Sequence, residues 1–142
     1  MIVYDSLDEL KRLIEGFADG TLPCHEWTHQ AHLIVGLWYC SRHDTEDATN
    51  ILRRSIKRYN LACGKQNTDT SGYHETITRF FVWLTKKYLV AAPPHCSFLQ
   101  LVNDFCEQHG DKNLPLRYYS QERLMSVTAR LDWVEPDLQP LM

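Results

Sequence analysis

The chain has 142 residues, a formal charge of −3 and an isoelectric point near 6.1, which is the size of one domain with no seam for a second. A chain this long buries roughly two-thirds of its unfolded surface and needs no staple to fold. Its scattered lysines and arginines give no basic stripe for nucleic acid, and no apolar run approaches the ~20 residues that span a bilayer.

Residues 1–10 lack the basic and apolar regions of a secretion signal. The five cysteines, at 24, 40, 63, 96 and 106, include no C-x-x-C pair. They read as reduced thiols, mostly buried as small hydrophobes, in a cytoplasmic protein.

The elements follow from punctuation and spacing. Ser6 caps a helix over 6–17, with Leu7, Leu10, Leu13, Ile14 and Phe17 on one face, and Asp19-Gly20 ends it. Thr28 is the N-cap of a second helix that is apolar nearly all round over 31–39, the pattern of a central helix. A third helix opens at Thr45-Glu46-Asp47 and stops at Cys63-Gly64, acids first and bases last as the helix dipole favours. After a polar loop over 65–72, a fourth helix is expected over 73–90, ended by Pro93-Pro94. A fifth covers 97–109 and closes at Gly110. Ser120 and Ser126 open two short helices, and the tail from Asp132 runs extended. The predicted fold is all-α, a single compact bundle of five or more helices over 1–142.

Chemistry concentrates at two helix beginnings. His29 and His32 are three apart, so their side chains are neighbours on one helix face and can reach one metal ion. His74 and Glu75 open the fourth helix. If His74 joins His29 and His32, three imidazoles form a metal site with an open position. Glu75 or Tyr73 then assists catalysis, or Glu75 simply pairs with Arg79 at i,i+4. Both groups lie in first turns, where the dipole favours neutral imidazoles but disfavours a cation. The same arrangement therefore also suits a metal-free module in which two helix N-termini hold an anionic small molecule. A third reading leaves the histidines as buried polar groups in a protein that acts through partner contacts.

Trp27-Thr28-His29-x-x-His32-Leu33, Gly72-Tyr73-His74-Glu75-Thr76-Ile77-Thr78, Tyr118-Tyr119-Ser120, Ala129-Arg130 and the stretch from Trp133 to Leu138 resemble a group of uncharacterised small bacterial helical proteins. These share an aromatic-T-H-x-x-H element and a later Y-H-x-T-x-T element. The resemblance spans most of the chain. It implies that His29, His32, Tyr73, His74, Thr76 and Thr78 belong together, and it implies no substrate. Cys24 and His25 fall outside the pattern.

Weaker candidates are a Cys24–His nucleophile pair, an anion site at Tyr118, Tyr119, Arg123 and Arg130, and His43, His95 and His109 as structural groups at helix ends. The leading expectation is a metal-binding protein or small metal-dependent enzyme. Its ligands are His29, His32 and His74, the ion is zinc or iron, and the partner is a small molecule, with homo-oligomerisation left open.

Overall fold

A computed structural model describes residues 4–142; residues 1–3, part of the stretch read as carrying no secretion signal, lie outside the described residues. The described chain is all helical, without strands. Its α-helices are α1 (Leu7–Asp19), α2 (His29–Arg42), α3 (Thr45–Ala62), α4 (Glu75–Ala91), α5 (Phe98–His109), α6 (Gln121–Leu124) and α7 (Val127–Leu131), with single 3-10 turns at Cys24–Glu26 and Leu114–Arg117. No helix among the described residues is long and apolar enough to cross a membrane.

Local chemistry sets most of these boundaries. Ser6, Thr28, Asp44, Ser97, Ser120 and Ser126 each accept a backbone N–H of the following turn through a side-chain oxygen. At Ser97 the Gln100 side chain completes a capping box. Gly20, at φ 80°, lets the chain leave α1 in the left-handed conformation that other residues resist. Two boundaries depart from expectation. Helix α2 runs on to Arg42, and α4 starts at Glu75 because His74 is its cap rather than a residue of its first turn.

Helices α2, α3 and α4 pack against one another as the centre, α1 and α5 flank α2, and α7 lies on α4. Leu10, Ile14 and Phe17 of α1 meet a core built from Leu33, Ile34 and Leu37 of α2, Phe80 of α4, and Val102 and Phe105 of α5. This explains the nearly uniform apolarity of α2, which is covered from several sides. Arg53 clamps α3 to α4 through a bidentate pair with Glu75, Nε to Oε1 at 2.8 Å and Nη2 to Oε2 at 2.6 Å.

The C-terminal segment is fastened to the start of α4. The Thr76 hydroxyl donates to the Asp132 carbonyl at 2.8 Å and accepts the Val134 N–H at 3.2 Å. Arg130 donates to the Gly72 carbonyl, Arg123 to that of Glu135, and the Tyr119 hydroxyl to that of Val134. These contacts assign Tyr119, Arg123 and Arg130 to holding the tail, where the sequence had raised an anion site. Replacing Thr76 by valine keeps the shape but removes the partner of the Asp132 carbonyl and of the Val134 N–H, both in part-buried bonds. The variant is expected to lose about 1–3 kcal/mol in urea unfolding and to be cleaved faster by protease within 132–142. Unchanged stability would show that the tail holds without this hydroxyl.

Candidate functional site

The two histidine elements come close together, but not as a metal centre. His74 caps α4 through Nδ1, which accepts the Ile77 N–H at 3.1 Å, and its Nε2–H donates to the Leu124 carbonyl at 2.7 Å. Both ring nitrogens are therefore occupied, and the ring is held neutral in one tautomer. His32 donates from Nδ1 to the Thr28 carbonyl at 2.8 Å and lies on the Trp27 ring, centroids 3.8 Å apart. His29 packs its edge on Phe81, and its Nε2 is buried without a hydrogen-bond partner.

Among the described residues no group of three or more His, Cys, Asp or Glu side chains could hold a metal ion. The expected site of His29, His32 and His74 for zinc or iron is thereby corrected. Its third imidazole is used as a helix cap, which sequence spacing does not distinguish from a ligand.

The cysteine expectation is corrected in part as well. Cys24 and Cys63 form a disulfide that joins the turn before α2 to the end of α3, so Cys24 is no free nucleophile. Cys40 and Cys106 are buried free thiols, and burial pushes both up to about 11, which makes them inert packing groups.

What the first histidine element does form is one wall of a cavity of about 300 Å³ between α2, α3 and α4. Three helical stripes face it: His29, His32, Leu33 and Gly36 from α2, Leu52 and Ile56 from α3, and Ile77, Thr78, Phe81, Val82 and Thr85 from α4. Spacings of three and four residues place each set on one side of its helix. Lys112, after α5, completes the lining. The walls are mainly aliphatic and aromatic. Thr85 gives its hydroxyl to the Phe81 carbonyl at 2.6 Å, which leaves the two imidazoles, Thr78 and Lys112 as the polar groups.

Gly36 is the opening in the α2 stripe. A side-chain carbon placed there would meet nothing within 4 Å. Neither Gly36 nor Lys112 carried any signal in the sequence. At the two helix N-termini, Thr28 Oγ1 accepts the Ala31 N–H and His74 Nδ1 the Ile77 N–H.

Glu75 and Tyr73 lie elsewhere. With Arg53, Lys57 and Arg130 they line a second, polar cavity of about 480 Å³. The Tyr73 hydroxyl donates to Glu75 Oε1 at 2.9 Å, and Arg79 stands 3.9 Å from Oε2. Burial pushes the Glu75 carboxyl up, but hydrogen bonds from Arg53 and Tyr73 and the Arg53 charge more than offset this, so it is held below the usual carboxylate range. Such a group is a weak base, and its first role is structural. A wider groove of about 810 Å³ runs between α3, α4 and the tail, lined by Trp83, Trp133, Arg79 and Lys87 among others.

Desolvation lowers the basicity of His29, His32 and His74 alike. His74 is buried, and an unfolded imidazole takes up its proton near pH 6.5 before the folded ring does. The unfolded chain then binds more protons, so this stability is complete above that pH and is lost as the pH falls below it. The urea midpoint is expected to drop between about pH 7 and about pH 4.5, with a shallower drop in His74→Asn, which keeps a capping side chain. Identical slopes in the two proteins would contradict a buried neutral His74.

No protein family, curated protein or solved structure matches the chain; what the site can hold follows from its own residues.

Proposed function

We propose that this chain binds a small, predominantly apolar molecule in the cavity between α2, α3 and α4. The observation that carries this reading is Gly36. A glycine inside a helix costs roughly 0.5–1 kcal/mol relative to alanine. Here no packing neighbour demands the missing side chain, since the space beside it is open. The space is lined mainly by apolar side chains, and covering apolar surface with an apolar molecule is favourable. A glycine kept in the helix beside it widens the space at a cost in helix stability, and an apolar guest accounts for that cost. The volume of about 300 Å³ lies at the small end of ligand pockets. The aliphatic and aromatic walls, with few polar groups, have the usual composition of such sites.

Filling the space tests this. Gly36→Leu starts a side chain where a Cβ meets nothing within 4 Å. The variant is expected to keep its helical circular dichroism, to melt no lower than the parent, and to bind 1-methylnaphthalene at least about ten-fold more weakly in equilibrium dialysis. The parent should bind one equivalent saturably. Equal binding by parent and Gly36→Leu would contradict the proposal.

A further inference from the structure

Resting on the cavity reading, we infer that the ligand carries an O–H or N–H donor on its apolar body, and that His32 Nε2 receives it. The argument runs through the tautomer. The Thr28 carbonyl can only accept, so the nitrogen 2.8 Å from it, Nδ1, must carry the hydrogen. Nε2 is then a lone pair on the opposite side of the ring, directed away from the helix backbone. The ring has little freedom to choose otherwise. One nitrogen is tied to the first turn of α2 and one face lies on Trp27, which itself stacks on Phe17 with centroids 4.5 Å apart. The surrounding residues lower the basicity of the ring, which keeps the lone pair free to accept.

The other polar groups of the lining do not duplicate this function. Lys112 only donates. Thr78 both donates and accepts, and so does His29, whose buried Nε2 has no partner to fix its tautomer; Thr85 is bonded to its own helix. His32 is thus the lining group, in a mainly apolar wall, that its own hydrogen bond fixes as an acceptor. A wall of that kind selects phenols, alcohols or amides over hydrocarbons of the same shape, because an unbonded acceptor next to an apolar guest loses its water without replacement.

The test compares two probes of nearly one shape, 1-naphthol and 1-methylnaphthalene, on the parent chain and on His32→Phe. Phenylalanine preserves the stacking on Trp27, and the Thr28 carbonyl keeps the His32 backbone N–H at 3.0 Å, so the variant leaves no buried carbonyl stranded. The parent is expected to bind 1-naphthol about ten-fold more tightly than 1-methylnaphthalene. In His32→Phe the preference should vanish while 1-methylnaphthalene binds within about two-fold of the parent. If both probes bind the parent equally, or if the preference survives in His32→Phe, the donor inference is overturned and the apolar cavity stands. If neither probe binds the parent, the cavity reading falls with it.

Discussion

His74 joins two parts of the chain with one neutral ring. Its Nδ1 accepts the Ile77 N–H and so starts α4, and its Nε2–H holds the Leu124 carbonyl fifty residues away. The first bond is lost when Nδ1 takes up a proton or a metal, and the second when a metal takes Nε2. The helix start, the docking of the C-terminal segment and the neutrality of the ring are therefore one constraint. Thr76 and Arg130 reinforce it from either side by reaching Asp132, Val134 and Gly72. Once α4 begins at Glu75, its register against α2 and α3 is set, and Ile77, Thr78, Phe81, Val82 and Thr85 turn toward them.

The cavity is a consequence of that register. Where bulky residues of α2 meet α4, the helices are sealed by core packing around Leu33, Leu37 and Phe80. Where α2 offers Gly36, the seal opens. The clamp from Arg53 to Glu75 holds α3 against α4 from outside this space. The Cys24–Cys63 disulfide adds a covalent tie at the Trp27 end of α2, beside the aromatic stack of Phe17, Trp27 and Tyr59 that supports His32. Walls held by such ties are what a preorganised binding site requires.

Much of this was legible beforehand, and for identifiable reasons. Caps such as Ser6, Thr28, Ser97, Ser120 and Ser126 act within four residues, so their chemistry is visible in the sequence. The helical stripes and the placing of His29 beside His32 on one face follow from period alone. The misreadings share a different cause. A histidine as an N-cap is rare beside serine or aspartate, so His74 invited a ligand role that its long-range bond to Leu124 excludes. Cys24 and Cys63 lie 39 residues apart and meet only once α3 has folded back. Gly36 gains its meaning from the helices facing it, and Lys112 from the position of the loop after α5; neither is a local property.

The claim at the centre of this account is the location of a bound apolar molecule, and nuclear Overhauser contacts measure it directly. A sample with labelled methyl groups, saturated with 1-naphthol, should show contacts from the naphthalene protons to the methyls of Leu33, Ile56 and Ile77, the aliphatic residues around Gly36. Contacts to Val90 and Leu141 instead would place the guest in the open groove beside Trp83 and Trp133 and contradict the assignment of the α2–α3–α4 cavity as the binding site.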